Sequence, residues 1–276
     1  MNIKKLLSSS INELANSGIP TPDLDVRILL EAAIKRDNAF VFSHPDFLIT
    51  NAQYSRFRRY IRRRKTGEPI AYILGYKEFF GLEFKVNKNA LIPRPETEYL
   101  VEKGADFIKS RKECNVLDMG TGSGCIIISL ASLANASFYA TDIFSKTLLI
   151  AKKNAKLNNV TNVQFYLSDL FSNKRLPNKF DLIIANLPYV PRSAVNFSVR
   201  FEPIDAIFAN DNGTAIIKKF LIEAKDKINL NGMILIEADC RNAKKIFEFA
   251  KKTYPEAVAI LEKDLAGLDR YISIKK

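Results

Sequence analysis

Apolar residues recur with two different periods along this chain, and the change from one to the other divides it. Over residues 1–66 the spacing is helical. Leu6, Ile11, Leu14 and Ala15 share a face, and Pro20-Thr21-Pro22-Asp23 interrupts the chain just as the amphipathic stretch DLDVRILLEAAIKR begins. Residues 67–99 mix Gly, Pro and alternating aromatic or β-branched positions, as a linker containing a β-hairpin would. From about residue 100, short apolar runs alternate with longer amphipathic ones, the pattern of βαβ units around a mostly parallel sheet. Strands are predicted over 115–118, 137–142, 163–167, 180–185, 233–237, 257–261 and 271–274, and helices over 123–133, 145–158, 214–228 and 242–254. The fold class read from this is α/β: a seven-stranded, Rossmann-like domain at 100–276, preceded by a small all-helical domain (1–66) and a hairpin linker (67–99).

Composition narrows the chemistry. With 276 residues, 47% hydrophobic and 26% charged, the chain can build a substantial core and is expected to be globular throughout. Cys114, Cys125 and Cys240 are widely spaced with no C-x-x-C pair, so neither a disulfide framework nor a thiolate metal site is expected, and a reducing cytoplasm fits. No uncharged apolar run approaches the roughly 18 residues that a membrane span needs, and the first segment carries Glu13 and no cleavage pattern, so no membrane association is expected. His44 is the single histidine, which removes most Ser-His-Asp, Cys-His and His-based zinc chemistries. No metal is expected. A net charge of +12 implies attraction to something acidic without choosing it.

The candidate strand at 115–118 runs into Gly120-Thr121-Gly122-Ser123-Gly124 and then into an apolar helix. Glycines at such a turn let the backbone approach a ligand whose anionic group meets free helix N-terminal amides. Asp142 ends the next strand about 20 residues on, where a carboxylate can accept from two ribose hydroxyls; a helix cap is its ordinary alternative. Cys125 stands where a dinucleotide fingerprint would continue with glycine, so a single adenosyl ligand is preferred. Asp169, after the third strand, is placed to face an adenine amine, and Leu170 to cover the ring.

Asn186-Leu187-Pro188-Tyr189 follows the apolar strand DLIIA at its carboxyl end, where ligands of open α/β sheets gather. The Asn186 side-chain oxygen and the Leu187 carbonyl can accept both hydrogens of a planar N–H₂ group, which suits methyl transfer to that nitrogen. Pro188 would fix the turn and Tyr189 would stack on the planar group. A strand-ending turn containing Asn and Pro is also common in its own right.

Together these segments resemble the protein glutamine N5-methyltransferases that modify peptide-chain release factors, the PrmC or HemK family. The resemblance covers nearly the whole chain. It rests on Gly67-Glu68-Pro69-Ile70-Ala71-Tyr72-Ile73-Leu74-Gly75, Phe80-Gly81-Leu82-Glu83-Phe84, Leu91-Ile92-Pro93-Arg94-Pro95-Glu96-Thr97-Glu98, residues 118–125 with Asp142, Glu202-Pro203, and Asp264-Leu265-Ala266-Gly267-Leu268-Asp269-Arg270. It implies an S-adenosyl-L-methionine-dependent enzyme, acting in the cytoplasm as a monomer, whose substrate is the glutamine of the Gly-Gly-Gln loop of release factors. It further implies that the helical front end recognises that protein. Gly120 to Gly124, Asp142, Leu170 and Asn186 would then line the cofactor site, and Asn186 to Tyr189 would bind the glutamine. Leu187 stands where the family usually has proline, Leu170 where it often has a larger aromatic, and Asn210-Asp211-Asn212-Gly213 where it has a glycine-rich stretch.

Two rival readings follow from the same residues. Asn-Leu-Pro-Tyr also resembles rRNA adenine N6-methyltransferases, and the basic run from Arg56 to Lys65 could serve RNA. Within that run, however, Phe57, Tyr60 and Ile61 lie on one helical face as core contacts, and those enzymes carry their helical domain after the catalytic one, so nucleic acid is not the expected substrate. The second rival is a non-catalytic protein that binds a translation factor, which intact Gly120, Gly122, Gly124, Asp142 and Asn186 argue against.

Overall fold

Helix starts in the first 75 residues are set by polar side chains. In the computed structural model, which describes residues 1–191 and 200–276, Asn2 caps α1 (Ile3–Ala15) by accepting from the Lys5 N–H. Pro22 opens α2 (Pro22–Ile34), where a missing N–H costs nothing. Asp37 caps α3 (Asn38–Ser43), and Thr50 with Gln53 forms a reciprocal capping box at α4 (Asn51–Lys65), followed by α5 (Ile70–Leu74). Leu6, Leu14, Val26, Leu29, Leu30, Phe57, Ile61 and Ile73 form the buried core of this unit, Met1–Gly75.

The arginines of α4 are largely spent inside the same unit. Arg58 forks onto Glu13, Arg64 pairs with the buried Asp25 at 2.6 Å, and Arg63 forks onto Glu68 while donating to the Tyr72 and Ile73 carbonyls. Arg64 also donates to the Glu68 carbonyl. The segment Gly67 to Gly75 is therefore held by α4, and this unit's basic run is mostly internal scaffolding.

Residues Tyr76–Lys276 form the second compact unit. It opens with a hairpin of β1 (Tyr76–Phe79) and β2 (Leu82–Lys85), continues through a 3-10 turn at Pro95–Thr97 into α6 (Glu98–Lys109), and then alternates β3 (Asn115–Met119), α7 (Cys125–Leu133), β4 (Ser137–Asp142), α8 (Ser145–Leu157), β5 (Val163–Leu167) and β6 (Phe180–Ala185). The short strands β7 (Val190–Pro191) and β8 (Phe208–Ala209) pair with each other; α9 (Ile204–Ile207) lies between them in sequence. One-turn α10 (Asn210–Gly213), α11 (Ala215–Ala224), β9 (Ile228–Glu237), α12 (Ala243–Thr253), β10 (Val258–Lys263) and β11 (Asp269–Lys275) complete it.

The main sheet has seven strands in the order β10-β11-β9-β6-β3-β4-β5. Only β11 is reversed, lying antiparallel between β9 and β10. Side chains alternate between two buried faces: Val116, Leu182, Ile184 and Leu235 pack with α6 and α7, whereas Leu117, Ile183, Ile234 and Ile236 pack with α11 and α12. A sheet buried on both faces explains why its strands read as unbroken apolar runs. The expected α/β fold and all seven expected strands are present, three of them with the boundaries read from sequence. Helix α6 was not among the expected helices, although its buried residues Leu100, Val101, Gly104, Ala105 and Ile108 recur with a helical period. No helix among the described residues is long and apolar enough to cross a membrane.

Candidate active site

The chain leaves β3 for β4 and β5 on one side, then returns to place β6 on the other, so the order reverses between β3 and β6. Ligands of open α/β sheets bind at such a switch point, outside the carboxyl ends of the strands. A cavity of about 550 Å³ lies there. Its wall includes Gly120, Thr121, Gly122, Ser123, Asp142, Asp169, Leu170, Asn186, Leu187 and Pro188, ten of the twelve residues singled out from sequence. Gly124 and Tyr189 are the two that do not line it.

The glycine turn is shaped by close approach. Gly120 has φ +74°, and a Cβ there would meet Leu187 Cδ2 at 2.8 Å, so the turn and the Asn-Leu-Pro-Tyr segment are packed against each other. Gly124, at φ +84°, sits at the start of α7, where a Cβ would meet Ile128 at 2.7 Å. Thr121 donates its hydroxyl to Asp118 Oδ2 at 2.6 Å beneath the turn. Asp118 is fully buried, and burial pushes its carboxyl up to about 7. Burial also pushes the cavity-lining Cys125 thiol up to about 12, which leaves it protonated and inert at neutral pH.

Asp142 is held by its own backbone surroundings. Oδ2 accepts from the Gly122 N–H at 3.1 Å and Oδ1 from the Phe144 N–H at 2.9 Å, which fixes the carboxylate at the cavity rim; burial raises its pKa. Its contact with Phe144 lies just before α8, whose start carries no side-chain cap, so Asp142 faces the cavity without capping that helix. Leu170 is buried with φ +47°, a conformation uncommon for a branched residue, and is pinned because Ser168 Oγ donates to its carbonyl and accepts from Asn173 N–H. Asp169 is half exposed and pairs with Lys219 at 3.2 Å, a contact weak enough for a ligand to compete with.

Asn186 is anchored through the nitrogen end of its amide. Its Nδ2 donates to Glu237 Oε2 at 3.0 Å and to Thr97 Oγ1 at 3.1 Å, while Thr97 Oγ1 donates to the same Glu237 oxygen at 2.8 Å. A carboxylate only accepts, so the nitrogen branch of the amide must face Glu237. Oδ1, on the opposite branch, is left for a ligand. Tyr189 turns to the same carboxylate: its hydroxyl donates to Glu237 Oε1 at 2.9 Å, its carbonyl accepts from Asn242 Nδ2 at 2.7 Å, and burial followed by Glu237 raises its pKa well above the ordinary value. The ring is thus built into the protein behind the segment rather than facing the cavity.

Several residues that complete the site were not chosen from sequence. Glu237 ends the apolar strand β9, and an acidic residue at the carboxyl end of a buried strand is the signal that marks it. Thr97 belongs to the Ile92-to-Glu98 motif, whose other members also acquire structural reasons. Arg94 pairs with the buried Glu202 at 2.5 Å, Ile92 N–H donates to Glu202, the Glu96 carbonyl accepts from Tyr271, and Glu98 accepts from Phe80 N–H. Asn154, fully buried in α8, ties both the N–H and C=O of Lys85 and the Ser123 carbonyl, joining the hairpin to the glycine turn.

With this geometry established, similarity to known proteins assigns the chain. Residues 5–75 match the PrmC N-terminal domain model and residues 110–263 a methyltransferase domain model. A release factor glutamine methyltransferase of Buchnera aphidicola is 36% identical, with 100% of this chain and 99% of that protein covered. The chain belongs to the release factor glutamine methyltransferase family. Another family member, from Flavobacterium psychrophilum, is 38% identical over 90% of this chain and 89% of its own. The bifunctional methyltransferase of Rickettsia typhi is 34% identical over 99% of this chain, which spans 57% of that protein. Among solved structures, a methyltransferase from Pyrococcus furiosus superposes with a TM-score of 0.53 at 21% identity, covering 80% of this chain and 98% of that one, a likeness of fold.

Proposed function

We propose that this chain transfers a methyl group from S-adenosylmethionine to the side-chain amide nitrogen, N5, of the glutamine in the Gly-Gly-Gln segment of peptide-chain release factors. The observation that carries this reading is the Asn186 amide: its nitrogen is committed to Glu237 and Thr97, so the atom it offers to the cavity side is an acceptor. A glutamine amide brings two N–H hydrogens and needs two acceptors. Asn186 Oδ1 and the Leu187 carbonyl supply them, whereas the Leu187 side chain packs toward Gly120, so replacing the family's usual proline leaves the carbonyl in service.

The cofactor fits the residues present. The cavity volume falls within the roughly 300–1,000 Å³ usual for small-molecule sites. Gly120, Thr121, Gly122 and Ser123 would hold its amino-acid end near the start of α7, with Gly124 turning the chain behind them, Asp142 its ribose hydroxyls, Asp169 the adenine amine, and Leu170 the adenine ring. When bound, S-adenosylmethionine supplies an electrophilic methyl carbon on a sulfonium that departs with the bonding pair.

The protein's part is to hold the glutamine nitrogen in line and dry. Accepting both amide hydrogens raises electron density on the nitrogen and fixes its lone-pair direction, an arrangement that strengthens as positive charge develops there. After transfer the nitrogen carries one proton too many, which is acidic enough to leave to solvent without a basic side chain. Pro188 stiffens the gripping segment and Tyr189, anchored on Glu237, braces it from behind. In this reading the helical front end recognises the release factor, and the enzyme works as a cytoplasmic monomer.

The direct test is methyl incorporation from labelled S-adenosylmethionine into a purified release factor. Label that disappears when the Gly-Gly-Gln glutamine is replaced by alanine supports the proposal. Label in rRNA and none in the release factor would overturn it, as would cofactor binding with no transfer to protein.

A further inference from the structure

Glu237 lies at the end of β9, more than 50 residues from Asn186 in sequence, and is 1% exposed. Every contact recorded for its carboxylate oxygens goes to a group that touches or belongs to the gripping segment: Oε2 to Asn186 Nδ2 and Thr97 Oγ1, Oε1 to Tyr189 hydroxyl. Burying a carboxylate is costly, and here three donors offset that cost. An apolar residue would pack such a position without that penalty. What an apolar residue cannot do is decide which end of the Asn186 amide points where.

The two ends of an asparagine amide are nearly equal in size, so shape alone does not choose between them. If the amide flipped, Asn186 would present N–H donors to a substrate that itself brings N–H donors. Accepting groups do choose. An ionised Glu237 has no hydrogen to give to a flipped Asn186 oxygen, and Thr97, whose hydroxyl hydrogen already goes to Glu237, has none either. Burial raises the Glu237 pKa while the Thr97 and Tyr189 hydroxyls oppose that rise; with Glu237 ionised the arrangement is self-consistent in only one orientation, and it places negative charge behind the amide nitrogen, which polarises the amide towards a more electron-rich Oδ1.

We infer that Glu237, acting with Thr97, is a positioning residue that selects the acceptor-presenting orientation of Asn186, and with it the nitrogen-gripping geometry. This rests on the release-factor glutamine as substrate. Glu237 touches neither substrate nor cofactor in this role; it works through Asn186.

The test compares Glu237→Gln, Thr97→Ser and Thr97→Val in the full-length enzyme with a release factor as substrate. Gln at 237 keeps the size but can donate to a flipped Asn186. Turnover is expected to fall by roughly 10- to 100-fold, with KM for S-adenosylmethionine and for the release factor within about threefold and an unchanged melting temperature. Thr97→Ser, which keeps the hydroxyl, should retain most of the turnover that Thr97→Val loses. Near-normal turnover in Glu237→Gln overturns the inference, as does an equal loss in the two Thr97 variants. A wild-type enzyme that labels no release factor would instead overturn the substrate reading. A second measurement needs no turnover: solvent exchange of the Asn186 side-chain amide protons, followed by nitrogen-15 NMR, should be at least tenfold faster in Glu237→Gln. Equal exchange rates overturn the inference by themselves.

Discussion

Asn186 illustrates how a single side chain is made useful by its neighbours. In its proposed role alanine there would remove one of two acceptors, and turnover is expected to drop by roughly two to three orders of magnitude while cofactor affinity changes little. Steady-state kinetics with a release factor check it, and near-normal turnover would remove Asn186 from the mechanism. Gly120 offers a complementary case. Gly120→Ala would set a Cβ 2.8 Å from Leu187 Cδ2 at a φ of +74°, so S-adenosylmethionine affinity is expected to weaken at least tenfold. Pairing it with Leu187→Ala should restore part of that loss, measurable by calorimetric titration; a double variant no better than the single one would exclude the contact as the cause. At this scale sequence carried the residues that end apolar strands or sit in glycine turns, because polarity at a buried strand's end is conspicuous. Glu237 carried the same strand-end signal and was passed over, and Thr97 was harder to see, since its meaning lies in Glu237, 140 residues away.

Elements are positioned by buried polar ties as much as by apolar packing. Asn154 in α8 satisfies three backbone groups, two on Lys85 of β2 and one on Ser123. Asn154→Ala leaves them unpaired, and unfolding free energy should fall by on the order of 3 kcal/mol in a urea titration. In the helical unit, Arg64→Ala leaves the buried Asp25 with only the Thr21 hydroxyl, for a loss of roughly 2–3 kcal/mol. A loss below 1 kcal/mol in either case would mean that water or a neighbour takes over the contacts. The sequence pattern located the strands well because a sheet covered on both faces demands continuous apolar runs. It passed over α6, whose helical period directly follows the hairpin-like linker and whose Gly104 packs closely against Ile184 and Leu130.

For the molecule as a whole, pH acts through a carboxyl that folding protonates. Asp118 is raised to about 7 by burial, so between about 4 and 7 the folded chain holds a proton that the unfolded chain releases. Its contribution to stability is present below about 4 and is lost as pH rises to about 7. Asp118→Asn, which keeps an acceptor for Thr121, should therefore gain stability relative to the wild type as pH rises through that window, read from melting temperatures at pH 5 and pH 8. Parallel curves would exclude it. The architecture at this scale, helices first and an α/β sheet after, was legible because periodicity changes once along the chain. Strand order was not, since the reversal between β3 and β6 and the insertion of β11 between β9 and β10 are set by which edges pair, a long-range choice that no local period encodes.

The contact between Gly120 and Leu187 ties two ligands to one piece of wall. In the proposed arrangement a cofactor on the glycine turn and a glutamine on the Leu187 carbonyl would bear on neighbouring atoms, so their affinities are expected to be coupled. Whatever factor the first ligand imposes on the second, the second imposes on the first. Release of the demethylated cofactor and departure of the methylated protein would then be coupled events.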